Sequence, residues 1–472
     1  MRWREAMHPV VMQRVALLGP SDAARDLLVT VADSGTVALE DTGTQDPGRE
    51  RTPAARRLDE LGAHPAGALL APIRPDLDRC VEEGRLDLLA GEAQVERRVD
   101  QAVVSGQVAA WAGWMPADEM PRLASRLAPT GGAVVPLPRP VGADPPTLLA
   151  RSGLGRDFAP LVQTYTTVPY ADVDPSALAG LAYVVMFGMM FADAGHGALL
   201  LLAALALRLG RPARLARRAE RLRRYWLFLA GAGAASMVFG ALYGEFFGPT
   251  GVLPVLWLAP LEEPITLLVA GVGVGALLLA GAYALGSVNR YREGGWAATA
   301  YAPTGLAGAT LFLGLALAGA GVALGPSWLT VLGGLVALVG LTASFVGLAA
   351  AEGGGGGAAA KAAMELFNLV VRLGSNLVSF ARLAAFGLTH AALGAVVWQA
   401  TTALWQQSAF GAVGAVVIFL LGNALTFALE GVVAAIQALR LEYFELFSRV
   451  FTSEGRPFQP WHVPLASKEV PR

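Results

Sequence analysis

From residue 176 onward the chain is a succession of apolar runs divided by short polar or glycine-rich breaks. A helix needs roughly 20 apolar residues to cross a bilayer. Backbone in lipid must also satisfy its hydrogen bonds internally, which suits unbroken runs of this length to helices. The runs fall near 176–191, 193–209, 224–248, 262–290, 297–323, 327–350, 363–406 and 409–448. At 54% hydrophobic, 15% charged and a mean hydropathy of +0.49, the 472-residue chain is too apolar for a soluble enzyme.

The expected fold is an N-terminal soluble α/β module over residues 1–165, followed over 166–472 by an all-α membrane domain of eight helices. The last two of these are long and tilted. In the module, VMQRVALLG and TVALED read as strands and SDAARDLLVTVAD as a helix. Helical stretches follow near 53–62 and 76–97. QAVVSGQVAAWAGWM reads as a strand pair, PADEMPRLASRLA as a helix, GGAVVPLP as a last strand and PRPVGADPP as a linker. No nucleophile, metal or phosphate pattern stands out there, so the module reads as a scaffold.

Loop charge orients the membrane part. RLGRPARLARRAERLRRY carries eight arginines and belongs on the cytoplasmic side. The N-terminal stretch MRWREAMHPVVMQRVALLG lacks the long apolar core of a signal peptide, so the module is expected in the cytoplasm too. An even number of crossings must then lie between them, which makes LAYVVMFGMMFADAGHGALLLLAALAL a hairpin broken at Ala192–Gly197. The loops this assigns to the outside (GPTGVLPVLWLAPLEEP, LGPSW and QQSAF) contain no Lys or Arg, and both termini fall inside.

The last two runs are about 40 residues each, roughly 60 Å as helix, against a hydrocarbon layer of about 30 Å. They must tilt, kink or project into the cytoplasm. Each carries a polar stripe at helical spacing: Glu365, Asn368, Arg372, Ser375/Asn376, Ser379, Arg382 and Thr389/His390 on one, and Asn423, Thr426, Glu430, Gln437 and Arg440 on the other. Ionisable groups are costly in lipid and usually face a bundle interior or a water-filled path, so paired stripes suggest an ion path. Counted back from the turn near Gln406–Ser408, straight helices would leave Arg382 and Arg440 ~10 Å apart in depth; unequal tilt brings them level.

The rest of the composition excludes several classes. Cys80 is the single cysteine, which rules out an intrachain disulfide framework and cysteine-rich metal sites. Neither lysine, Lys361 or Lys468, follows a glycine, so there is no G-K-[ST] phosphate loop. A net charge of −1 gives no bulk attraction to nucleic acid. No cofactor, metal or catalytic chemistry is expected of the chain itself.

Several stretches resemble the membrane stator subunit, called a or I, of rotary V-type and A-type ATPases. VPYADVDPSALAGLAYVVMFGMMFADAGHG is similar to that family's first membrane segment, and YGEFFG (243–248) is a second element. SNLVSFARLAAFGLTHAALG resembles the seventh span, and LEGVVAAIQALRLEYFELFSRVFTSEGRPFQPW the eighth with its tail. The opening VALLG…DSGTVALED and GWMPADEMPRL are also similar, although the long coiled-coil arms usual between them are very short here. The resemblance implies a subunit that supplies two aqueous half-channels against a ring of small apolar rotor subunits. Peripheral stalk subunits would hold it, and it would reach a soluble ATPase head only indirectly. The setting implied is multi-pass, in a bacterial or archaeal-type plasma membrane.

By resemblance Arg382 and Arg440 meet the rotor carboxylate, Glu430 and His390 serve the outer half-channel, and Gln437 assists Arg440. Ser379 lies in the seventh-span motif. Glu365 is the nearest inner acid, although an acid is expected one turn closer to Arg382, where Asn368 stands. Asp193, His196 and Glu245 are candidates for the channel mouth or the hairpin turn. The residues alone also allow Arg382 to be a structural partner of Glu430, His390 to be a packing residue, and Arg440 to snorkel to headgroups. The other function class is a self-contained transporter or channel, whose folds often show repeated halves with broken helices; no such repeat is visible here.

Overall fold

The computed structural model describes residues 9–41, 52–140, 142–149, 167–209, 225–353, 356–407, 409–451 and 455–466. Two compact units emerge. One holds Pro9–Leu148 together with the tail from Gly455, and the other Leu149–Glu454. The boundary therefore differs from a simple division near residue 165, because the tail returns to the N-terminal unit.

That unit is a small antiparallel sheet with helices. Its elements are β1 (Met12–Pro20), α1 (Ala24–Ser34), β2 (Ala38–Leu39), α2 (Pro53–Glu60), α3 (Leu77–Glu82), α4 (Leu86–Asp100), β3 (Val103–Ser105), β4 (Val108–Pro116), α5 (Met120–Leu127) and β5 (Ala133–Pro136). The strand order is β2-β4-β1-β5, with β3 also paired to β4. Alternation along β1 buries Val15 and Leu17 against Leu27, Leu28 and Val31 of α1, the period-2 and period-3.6 patterns meeting in one core. The helical stretch expected over 76–97 is two helices, because Gly84 turns the chain in the left-handed region at φ 67°. Arg25 grips the buried Glu92 carboxylate with two bonds of 2.8 and 2.7 Å. The tail adds Trp461 N–H to Val37 O at 2.9 Å and buries Val463 in the same core.

The second unit begins with α6 (Ser176–Met190), α7 (Ala194–Leu209) and α8 (Trp226–Tyr243). Then come α9 (Pro264–Tyr301), α10 (Leu306–Leu324), α11 (Ser327–Ala351), α12 (Gly356–Ser379), α13 (Ala381–Trp405) and α14 (Ala409–Leu441). A π-helical segment, Glu442–Phe447, and a last turn, Ser448–Val450, follow α14. Among the described residues six helices are long and apolar enough to cross a membrane, counting Gly356–Trp405 and Phe410–Val450 as one each. α6 and α7 are apolar but shorter.

The chain does reverse between α6 and α7. Gly188 of α6 packs on Ala235, and Val184 on Gly231, so α6 runs parallel to α8. Gly197 of α7 meets Gly233 and Met237, and Gly240 meets Ala194, so α7 runs antiparallel to it. α8 is thus the clasp of the hairpin, and small residues on both sides let the backbones approach. The arginine-rich stretch after α7 lies almost wholly outside the described residues.

Two boundaries differ from expectation. The first helix of α9 runs on through NRYREG to Gly294, Gly295 (φ 68°, ψ −159°) breaks it, a second helical stretch reaches Tyr301, and α10 starts only at Leu306. The Arg290–Glu293 ion pair at 2.6 Å, i to i+3, supports helix where a loop was expected. The long seventh run is interrupted at Phe380, between α12 and α13. Phe380 is fully buried, and it lies where a side chain on Gly275 of α9 would be, 2.2 Å from its Cγ.

Candidate functional site

Two polar clusters stand along α13 and α14. The first is built around the turn between α6 and α7. Asp193 caps α7: its Oδ1 accepts the His196 N–H at 2.8 Å, three residues on. The same carboxylate reaches the segment after α8, accepting the Phe247 N–H at 3.1 Å and the Gly248 N–H at 2.7 Å. Those two amides point at Asp193 because the backbone there is left-handed. Phe247 has φ 52°, the one non-glycine with positive φ among the described residues. Gly248 has φ 90° and touches the Gly394 backbone of α13. A bulky residue held in that region stores strain, offset here by the two hydrogen bonds to the Asp193 carboxyl group.

α13 brings His390 to the same place. Its Nε2 lies 3.9 Å from Asp193 Oδ2, and its Nδ1 is hydrogen-bonded to Glu430 Oε2 of α14. His196 Nδ1 is 3.6 Å from the same Asp193 oxygen. Asp193, His196 and His390 are 0, 1 and 2% exposed. Phe191, Phe247 and Phe427 wall the two imidazoles. Glu245 is buried beside Asp193 and His390 and has no hydrogen-bond partner for Oε2. Five residues expected at separate places along the chain (Asp193, His196, Glu245, His390 and Glu430) thus form one buried group.

The second cluster lies about two helical turns away along α13, eight residues before His390. There the Arg382 Nη1–H donates to Gln437 Oε1 at 3.1 Å. Glu445, in the π-helical segment, is buried beside Ser379 with Arg382 and Arg440 around it. Gln437 and Arg440 are three residues apart on α14, so the two arginines sit within about one turn of each other in depth rather than ~10 Å apart.

The remaining candidates are placed differently. Glu365, Asn368 and Arg372 are exposed on α12. Arg372 Nε–H bonds the Asn368 carbonyl at 3.4 Å and makes no ion pair with Glu365 among the described residues. The acid near Arg382 is Glu445, supplied by the following helix. Sequence reasoning gave no role to Glu442, Glu445 and Arg449, all buried in the turns after α14, nor to Asn289. Asn289 of α9 accepts the Val173 N–H at 3.0 Å and donates to the Val450 carbonyl at 3.2 Å, tying the start of the unit to its end. The available signal was the E-x-x-E-x-x-x-R spacing in LEYFELFSR, which places charge on successive turns of a helix too apolar to carry it idly.

α14 also has a bare face. Leu421, Leu425, Leu429, Val432 and Ile436 are 56–68% exposed. Arg440, one turn beyond Ile436, is exposed on the same side. The stripe of polar residues therefore borders a long apolar surface that faces away from the chain's own helices.

The profile of the V-type ATPase 116kDa subunit family matches residues 99–253 and 364–463, more than half of the chain. The chain belongs to that family. The matched regions contain Asp193, His196, Glu245, α13 and α14. This member is similar to the A-type ATP synthase subunit I of Aeropyrum pernix, 26% identical over 364 residues, 65% of this chain and 50% of that protein. It is 35% identical over 175 residues to the V-type ATP synthase subunit I 2 of Treponema pallidum, 34% of this chain and 36% of that protein. It is 39% identical over 101 residues to the vacuolar proton translocating ATPase 100 kDa subunit of Dictyostelium discoideum, 20% of this chain and 12% of that protein. The chain spans about half the length of the A-type subunit I relatives it matches.

Proposed function

We propose that this chain is the membrane stator subunit of a rotary V/A-type ATPase or ATP synthase, with eight crossings, both termini cytoplasmic and no covalent chemistry of its own. The observation that carries the reading is the Arg382–Gln437 contact at the edge of an exposed apolar helix face. A rotor carboxylate must be protonated to cross lipid, because a bare charge there is too costly. A fixed guanidinium favours the ionised form and so takes the proton off as the carboxylate passes. It also stays charged and opposes a direct leak between the two half-channels, which a deprotonating lysine would not. The exposed face of α14 suits an apolar ring of rotor subunits.

In this reading Glu245, Asp193, His390 and Glu430 line the outer half-channel, with His196 beside them. Ser379, Glu445 and the arginines serve the inner side, with Glu365 at its exposed end. The Glu430–His390–Asp193 line supports proton relay, with Glu430 hydrogen-bonded to His390 and Asp193 standing 3.9 Å beyond it. The soluble unit would meet peripheral stalk subunits, and the ATPase head would be reached only through them.

A mild-detergent purification of the tagged chain tests the assignment. Copurification of a small, very apolar subunit with one buried carboxylate, together with soluble P-loop ATPase subunits, is expected. Arg382→Ala is then expected to abolish ATP-driven proton uptake while the complex stays assembled. Retained coupling in that variant would sink the reading. Purification of the chain alone, still moving ions in vesicles, would favour a self-contained transporter.

A further inference from the structure

The geometry of the outer cluster points to a metal site: we propose that Asp193 Oδ2, His196 and His390 Nε2 bind a divalent first-row transition ion of the zinc type, with Glu430 orienting His390. Two imidazoles and a carboxylate are ligands that zinc takes in sites with an open fourth position. Ligand atoms of the three residues lie within 4.8 Å of one another. Asp193 Oδ2 stands 3.6 Å from His196 Nδ1 and 3.9 Å from His390 Nε2. These separations are too long for hydrogen bonds. They are close to the edge of a tetrahedron with metal–ligand bonds of 2.0–2.1 Å, about 3.3 Å, and the two imidazoles, whose ligand atoms lie within 4.8 Å of each other, would draw together around the ion.

A second observation is independent of those distances. His196 is 1% exposed, and neither of its ring nitrogens has a hydrogen-bond partner. A buried imidazole is rarely left so, because each unmet polar group costs free energy. A metal ion would satisfy it. The surroundings also have the form of a metal site's outer shell. Glu430 holds His390 Nδ1 and leaves Nε2 directed at the shared centre, the carboxylate–histidine arrangement that fixes a metal-bound imidazole. Asp193 is held in turn by three backbone N–H groups, and phenylalanines pack on both imidazoles.

The consequence depends on the proposed function: an ion here would occupy the nitrogens the relay needs and block the outer half-channel. The test uses the purified complex containing the full chain, stripped with chelator and titrated with Zn2+ alone. Bound zinc is counted by elemental analysis and its neighbours read by X-ray absorption. Wild type is expected to hold one more zinc per chain than His196→Gln or His390→Gln, with only N/O neighbours and an imidazole signature. Glu430→Gln is expected to weaken binding by about 10–100-fold, the usual cost of losing such an orienting group. Equal zinc content in wild type and both histidine variants would overturn the site, even if Arg382→Ala still abolished coupling. Zinc bound with the expected ligands, while proton uptake continued undiminished, would uphold the site and overturn the half-channel reading of these residues.

Discussion

Arg382 and Gln437 are 55 positions apart in sequence and joined by one hydrogen bond of 3.1 Å, so an amide on one long helix fixes the direction of a guanidinium on the other. A bond to a charged group contributes about 1.5–3 kcal/mol, enough to select among the rotamers of a long side chain. Gln437→Leu is expected to leave the complex assembled and to lower the ratio of proton uptake to ATP hydrolysis several-fold without abolishing it. Gln437→Glu places a carboxylate on Arg382 and should lower the ratio further. Paired measurements of uptake and hydrolysis in vesicles check both.

Asp193 carries three backbone N–H groups from two segments of the chain. Asp193→Ala orphans all three in a buried place, at about 1–3 kcal/mol each. A fall of several degrees in the thermal midpoint of the detergent-solubilised complex is expected. Asp193→Asn keeps an acceptor oxygen and should fall between the two.

Asp172 precedes α6 and is fully buried. Burial, with Glu293 beside it, pushes its carboxyl up from 3.8 to about 7. The native state then holds a proton that the unfolded chain releases near pH 4. The stability is complete below that pH and is lost as pH rises towards 7, a change on the order of a few kcal/mol that already includes the opposing pull of Arg290 and Arg292. Wild type is expected to melt lower at pH 8 than at pH 5. Asp172→Asn should flatten that difference by raising the midpoint at pH 8, and melts at the two pH values decide it.

Gly275 makes room for the Phe380 ring, which would meet a Cβ at 2.2 Å. Gly275→Ala is expected to cost about 1–3 kcal/mol by overpacking and to reduce coupling, because Arg382 is two residues from the displaced ring. Adding Phe380→Leu should recover much of both losses, readable in the same melts and uptake measurements.

Much of this molecule was legible along the chain. The apolar runs mark the membrane helices because length and hydropathy decide what can lie in lipid. The turn at Asp193 was visible as a charged interruption between two runs. The boundary after α9 was not, since a glycine pair and a charge cluster read as a loop, while the i to i+3 pair kept the segment helical up to Gly295. Likewise Glu445 is not legible as the acid near Arg382, because the stripe on α12 offers Glu365, which faces outward, while Glu445 lies beyond the end of the other stripe.

The sequence by itself determined which segments are apolar helices, which residue types they carry and on which helix face each polar stripe lies. Those follow from local periodicity and the cost of charge in lipid. Only the tertiary structure decided that Asp193, His196, His390 and Glu430 share one buried centre while Arg382 and Gln437 share another. Such meetings join residues 40 to almost 200 positions apart. They depend on how the helices pack, including the glycine contacts between them, and a one-dimensional pattern carries none of this.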